Sequence, residues 1–212
     1  MTTADITATA DPRLARLLEL GTSTVYEGTG EEWWVEPSIR PAWRGARLVG
    51  PAFPVLAGPG DNLALQRAVR EAPSGSVLVV EAGGGRFGHW GGILTEIALL
   101  REIAGLVIHG TVRDIDEIEG LGFPIFATGI AMRHAQKTDP GVIGEPIELA
   151  GRAVRPGDVV VADADGVAIV PADRLDEAVE NAERRFAQER ERIATIRSGE
   201  VPAMKVETPA HG

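Results

Sequence analysis

The 212-residue sequence contains no cysteine, one tyrosine and only two lysines, Lys137 and Lys205. Without cysteine there are no disulfides, thiol nucleophiles or thiolate metal sites, so any metal must be held by carboxylate, imidazole or water. No uninterrupted apolar run reaches the roughly 18 residues of a membrane helix. The start, MTTADITATADPRL, lacks the basic stretch followed by an apolar one that marks a secretory signal. The expectation is a cytoplasmic protein with no membrane contact. Basic residues are also scarce: 21 lysines and arginines against 31 acids leave a net charge of −10. Such a surface repels phosphate backbones, so broad nucleic-acid binding is not expected. What is present is globular in kind, with 44% hydrophobic and 25% charged residues, enough for one sizeable core.

Local signals divide the chain into elements. Asp11-Pro12 before RLARLLEL and Gly21 reads as a short helix with an N-cap, a first-turn proline and a glycine stop. From Thr22 to Gly60, prolines, glycines and tryptophans predict loops, with one strand around Leu48–Leu56 interrupted by Pro51 and Pro54. Asp61 then caps a helix over DNLALQRAVREA, and SVLVVEA follows as a buried strand. Helical spacing over Gly91–Ala104 leads to a strand at Leu106–Ile108, a helical turn at Asp114–Glu119 and a strand at Phe123–Ala127. This alternation predicts an α/β architecture with crossover connections. VVVADADGVAIVP reads as a hairpin turning at Asp165-Gly166. Ala172–Arg197 is a long charged helix whose apolar stripe docks on the body or on a neighbouring subunit. With no repeat and no linker, one domain is expected over 1–212: helix and loops over 1–60, an α/β core over 61–171, a helix over 172–198 and a loose tail over 199–212.

Gly83-Gly84-Gly85-Arg86-Phe87-Gly88 satisfies G-x-G-x-x-G after a strand, the pattern of a dinucleotide or S-adenosylmethionine loop. Yet His89, Trp90 and two more glycines precede the helix, and no acid closes the following strand. The run reads instead as a flexible loop that lets another group approach the backbone. More chemistry lies downstream. Gly91-Gly92-Ile93-Leu94 opens a helix whose first amides lack partners, a place for a small carboxylate or phosphate. Arg113-Asp114 follows the next strand, at the sheet end where open α/β folds place ligands. The guanidinium can grip a carboxylate through two parallel bonds, and the aspartate can hold a hard cation such as Mg²⁺. Amides, arginine and aspartate together suit a 2-oxo acid. His109, His89 and His134 read as core or loop histidines, with no pair at metal-ligand spacing. Asp163-Ala164-Asp165-Gly166 reads as the hairpin turn, and Trp33, Trp34, Trp43 and Trp90 as core or interface aromatics.

The run from Asp61 to Pro171 resembles the family of 4-hydroxy-4-methyl-2-oxoglutarate aldolases and RraA-like regulators of ribonuclease E activity. The resemblance is carried by Gly60-Asp61-Asn62, the Gly91–Leu94 helix start, GLVIHGTVRD, Gly122-Phe123-Pro124, and Arg155-Pro156-Gly157-Asp158 leading to Asp165-Gly166-Val167 and Pro171. These stand in order over just over half the chain. They imply an αββα layered sandwich like the swivelling phosphohistidine domain, assembled as a homotrimer or hexamer with active sites between subunits. They also imply a Mg²⁺- or Mn²⁺-dependent lyase that splits 4-hydroxy-4-methyl-2-oxoglutarate, or a related 4-hydroxy-2-oxo acid, to pyruvate and decarboxylates oxaloacetate. By the resemblance, Arg113 grips the pyruvoyl part, Asp114 is the metal ligand, and Gly91, Gly92, Ile93 and Leu94 form the amide site. Lys137 matches a lysine that meets the far carboxylate or a water, with a solvated loop charge as the alternative. A glutamate from the neighbouring subunit's last helix matches Glu189, with Glu191 as a rival. The aldolases carry an aspartate where this chain has Gly92, which removes one carboxylate. The alternative to an enzyme is a non-catalytic trimeric regulator binding a ribonuclease or another protein, and those regulators tend to lack the aspartate kept here as Asp114.

Overall fold

The structure is a computed structural model and describes residues 11–203. Segments 1–10 and 204–212, the latter including Lys205 and most of the tail expected over 199–212, lie outside the described residues. The chain begins with helices α1 (Pro12–Leu20) and α2 (Thr22–Thr29), followed by strands β1 (Arg40–Pro41) and β2 (Leu48–Leu56). Helices and strands then alternate through α3 (Leu63–Glu71), β3 (Val77–Trp90), α4 (Gly92–Leu100), β4 (Gly105–Val112), α5 (Ile115–Leu121) and β5 (Ile125–Ile130). Short strands β6 (Val142–Ile143), β7 (Ile147–Leu149) and β8 (Arg152–Val154) lead to the hairpin β9 (Val159–Asp163) and β10 (Gly166–Val170), and α6 (Leu175–Arg197) closes the sequence of elements.

Strands β2, β3, β4 and β5 are parallel neighbours, and the path β1-β5-β4-β3-β2-β9-β10 is antiparallel at both ends. Alternation along each strand sorts side chains between faces. Leu78 and Val80 meet Leu65 and Ala68 of α3, Ala98 of α4 and Ile118 of α5. Val77 and Val79, on the opposite face, meet Leu48, Val160, Ala162, Val167 and Ile169. Val159 and Val161 point outward again, to Leu17, Val25, Ala178 and Ala182 of α1, α2 and α6. Three apolar clusters therefore separate four layers, in the order helices, sheet, sheet, helices. The α/β class and the expected layer order agree with this arrangement.

Three local expectations are corrected. Thr22–Thr29 is a helix and not a loop, although its threonines and glycine are weak helix formers. Packing against α6 makes it one: a Cβ at Gly28 would lie 2.9 Å from the backbone of Asn181 and Ala182, so the two helices touch main chain to main chain. The Thr22 amide donates to Asp163 Oδ2 at 2.9 Å, which fixes the helix start. The strand β2 is unbroken by Pro51 and Pro54, because it changes partner there. Leu48–Pro51 pair with β9 and Ala52–Leu56 with β3, while the other side of the second half meets only short partners, the Gly157–Asp158 turn at Ala52 and the two-residue β6 at Val55 and Leu56. A strand with such free stretches tolerates residues that lack an N–H. Finally, the glycine run lies inside β3, which extends through it to Trp90. Gly83, Gly84 and Gly85 have φ of +71°, +67° and +106°, and the register against β4 shifts between Glu81 and Trp90. They form bulges in a strand.

Candidate active site

Parallel strands β3 and β4 end side by side, and the turns after them start α4 and α5. At this carboxyl end of the sheet lies a cavity of about 400 Å³. Its lining gathers Asn62, Gln66 and Arg70, then Gly88–Gly91, Ile93, Leu94 and Ile97, then Arg113 and Asp114, and last His134, Ala135 and Lys137. Residues far apart in sequence thus meet for one topological reason, the shared end of a parallel sheet.

The Arg113 amide donates to Trp90 O at 3.0 Å, which binds the two strand ends together. The next residue, Asp114, is in the left-handed region with φ of +60°, an uncommon conformation for a residue with a side chain. That turn aims its carboxylate back at α4, where Oδ2 accepts the Gly92 amide at 3.0 Å and lies 3.6 Å from Arg113 Nε. Gly91 is required by this approach: a Cβ there would overlap Asp114 Oδ2 and stand 3.1 Å from Arg113 Nε. Asp114 takes up one of the first-turn amides of α4, while Ile93 and Leu94, the second and third residues of the helix, have amides with no intrahelical acceptor. Arg113 Nε is buried with no hydrogen-bond partner among the described residues. The arrangement presents donors without acceptors, as an anion site should.

His89 is wholly buried. Its Nδ1 lies 3.3 Å from Thr111 O, which suits an Nδ1–H donor and leaves Nε2 as an acceptor without a partner. Burial, the largest influence, holds its pKa below the ordinary imidazole value, so the ring is neutral. It is a core histidine, as its place in the sequence suggests, but only half satisfied. His109 lies outside this lining and pairs instead with Glu81, Nδ1 standing 2.8 and 2.9 Å from the two carboxylate oxygens. His134 is exposed at the cavity rim.

Lys137 reaches the cavity on a loop fastened to α3. Asp61, almost fully buried, accepts the Leu63 amide through Oδ1 at 2.8 Å. Its Oδ2 accepts the Thr138 amide at 2.7 Å, the Thr138 hydroxyl at 2.8 Å and the Asp139 amide at 3.1 Å. Lys137 itself is exposed and forms no ion pair among the described residues.

Of the residues singled out from sequence, Gly91, Ile93, Leu94, Arg113, Asp114 and Lys137 line one cavity, and Gly92 joins it through its amide. Glu189 is not brought to it; it lies half-buried on α6, and Glu191 is exposed on the same helix. The lining also includes the polar face of α3, which the sequence reading does not single out. Asn62, Gln66 and Arg70 recur every four residues, and Gln66 Nε2 donates to Asn62 Oδ1 while Asn62 Nδ2 donates to His89 O, each at 3.0 Å. That spacing was the available signal. Asp114 is the one acid lining the cavity, and no three of His, Asp and Glu gather as a metal cluster among the described residues. A lone exposed carboxylate suits Mg²⁺, which keeps most of its waters, and does not suit zinc. A second cavity of about 380 Å³, between α2 and β10, has walls of Trp34, Val35, Ile39 and Val167. Its Ser23 and Arg40 are both engaged with Asp165, and it offers no comparable chemistry.

Residues 22–169 match the family model for RraA-like proteins, described as Aldolase/RraA. The chain belongs to this family. It is 36% identical over 160 residues to a Halalkalibacterium halodurans protein named "Putative 4-hydroxy-4-methyl-2-oxoglutarate aldolase", covering 75% of this chain and 76% of that one. An uncharacterized protein from Pseudomonas syringae pv. tomato superposes with a TM-score of 0.81 at 31% identity, over 90% of this chain and 94% of its own. Streptomyces coelicolor RraAS2, described as an unusual member of the RNase ES inhibitor RraA protein family, superposes with a TM-score of 0.76 at 28% identity, over 84% and 94%. Among the described residues, no helix is long and apolar enough to cross a membrane.

Proposed function

We propose that this protein is a divalent-metal-dependent lyase that cleaves 4-hydroxy-4-methyl-2-oxoglutarate, or a related 4-hydroxy-2-oxo acid, to pyruvate, and that it decarboxylates oxaloacetate. The observation that carries the reading is the meeting of Arg113, Asp114 and the start of α4 in one cavity, with Lys137 delivered by a separate loop. The cavity falls within the size range of small-molecule sites. Arg113, with its unpartnered Nε, holds the carboxylate next to the keto group, and the Ile93 and Leu94 amides reinforce it with the helix dipole. Lys137 meets the far carboxylate, so a dicarboxylate lies stretched between two cations. Asp114 would hold Mg²⁺ or Mn²⁺, which when bound supplies the positive charge that steadies a developing enolate. Breaking the bond between C3 and C4 leaves the pyruvate enolate, and Arg113 stands beside that charge as it forms. The C4 hydroxyl must lose a proton as C4 becomes a carbonyl carbon, and a water aided by Glu189 of a neighbouring protomer would take it. A proton returned to C3 of the enolate completes pyruvate.

Two exposed apolar faces support a homotrimer or hexamer. Ile93 and Leu100 of α4 are 80% and 82% exposed beside the cavity, with Ile97 between them. Beyond Ala182, α6 has no buried residue, and exposed Phe186, Ile193 and Ile196 share a stripe with Glu189. Apolar rows of this kind on both helices invite a second copy. The test is a coupled pyruvate assay with Mg²⁺ and either substrate. We expect pyruvate well above the metal-only blank, abolished by chelator and by Asp114→Ala. Full activity in Asp114→Ala rejects the reading. The likeness to RraAS2 favours a second one, a non-catalytic regulator of a ribonuclease. It requires that ribonuclease inhibition survive in Asp114→Ala.

A further inference from the structure

The cavity and its arginine account for Asp114 but leave a second carboxylate beside it unexplained. Gly92, the first residue of α4, is buried, and a Cβ on it would stand 2.7 Å from Glu117 Cδ and 2.8 Å from Glu117 Oε1. The Glu117 carboxylate therefore lies flat against this glycine, in the space any side chain at position 92 would claim. The amide of the same glycine donates to Asp114 Oδ2. Asp114 precedes α5 and Glu117 sits in its first turn, three residues on, so one helix start delivers both acids to one face. Glu117 makes no ion pair and no side-chain hydrogen bond among the described residues, whereas Asp114 has both the Gly92 amide and Arg113 beside it. Two carboxylates thus meet one glycine, Asp114 at its amide and Glu117 where its side chain would be. The unpartnered Nε2 of buried His89 and Nε of Arg113 mark the adjoining cavity as built for a ligand independently of the acids.

We infer that Glu117 is a positioning residue of this site: admitted by the absence of a side chain at Gly92, its carboxylate stands beside Asp114 and sets the cation affinity there. The inference rests on the metal-dependent lyase reading. Glu117 acts through Asp114 and the water around it, as an outer carboxylate that orients a first ligand, and such partners change affinity or activity by about 10- to 100-fold. Position 92 and position 117 then form an either-or pair, since a side chain at 92 expels Glu117.

The experiment titrates the full chain with Mn²⁺, reading free Mn²⁺ by electron paramagnetic resonance, and measures pyruvate release and thermal melting alongside. Glu117→Gln keeps size and helix but removes charge; it should raise the Mn²⁺ Kd and lower kcat/KM by about 10- to 100-fold with melting unchanged. Gly92→Ala should move both in the same direction by displacing Glu117. Gly92→Asp combined with Glu117→Gln should recover most of the loss by returning a carboxylate to the same space. If the wild type binds Mn²⁺ and releases pyruvate and Glu117→Gln matches it in both, Glu117 alone is overturned. A lower melting temperature with an unchanged Kd also overturns it, by assigning Glu117 to the dipole of α5. A wild type that neither binds Mn²⁺ nor releases pyruvate overturns the lyase reading and the inference with it.

Discussion

Asp61 offers a way to loosen the cavity without touching the residues that line it. Its two oxygens serve different elements: Oδ1 caps the start of α3 through the Leu63 amide, and Oδ2 gathers the Thr138 amide, the Thr138 hydroxyl and the Asp139 amide. In Asp61→Asn one oxygen remains and an NH₂ group faces donors, so either the cap or the loop bonds are lost. Bonds to a charged acceptor contribute roughly 1.5–3 kcal/mol each. The loop amides can turn to water once released, so the expected loss is about 2–4 kcal/mol, less than the sum of all the bonds. Urea denaturation at pH 7 measures it. The pH dependence follows from the same contacts. Burial pushes the Asp61 carboxyl up, but the hydrogen bonds from Leu63, Thr138 and Asp139 outweigh it and leave the pKa below the ordinary value. A carboxyl with a depressed folded pKa stabilises fully above its unfolded value, about 3.9, and loses that contribution as pH falls through the folded value. The stability gap between wild type and Asp61→Asn should therefore be flat from about pH 8 to 5 and close below about pH 4. Because Lys137 rides on the fastened loop, KM for a dicarboxylate should rise about 10-fold, equivalent to about 1.4 kcal/mol, with kcat changing less. A gap under about 0.5 kcal/mol, or one that widens on acidification, refutes the reasoning.

Two other outcomes complement the tests of Asp114 and Glu117. Arg113→Lys keeps the charge but removes the planar fork, and KM should rise about 10- to 100-fold in the pyruvate assay; an unchanged KM denies Arg113 its role at the carboxylate. Leu100→Asp places a charge on the exposed stripe of α4 and should reduce the molar mass measured by light scattering to that of a monomer, whereas an unchanged mass assigns that stripe no part in assembly.

Features set by local chemistry were legible before the fold was known. The first helix declares itself through Asp11, whose side chain accepts the Arg13 amide at 2.9 Å, and the hairpin through Asp165-Gly166. Arg113-Asp114 could be placed beside Gly91–Leu94 because parallel strands in crossover order must end together. The failures share a different cause. Thr22–Thr29 is helical because Gly28 lets α6 press against it, a contact with residues more than 150 positions away. The glycines of β3 resemble a loop because a bulged strand and a loop call for the same residue. Asn62, Gln66 and Arg70 resemble a solvent face, since polar residues spaced by four look alike whether they meet water or a cavity. Glu117 gave no local signal, as its meaning depends on what is missing at Gly92.

One further consequence follows from the way β2 divides its hydrogen bonds. Its first four paired residues are woven with β9, beneath the layer of α1, α2 and α6, and its last five with β3, whose far end shapes the cavity. Both inner sheets hang on the same nine-residue thread. A slip of that thread by one position would turn its side chains over in both sheets at once. The molecule consequently has no seam along which one half can come apart from the other: a protomer presents the cavity and the long outer helix together, or neither.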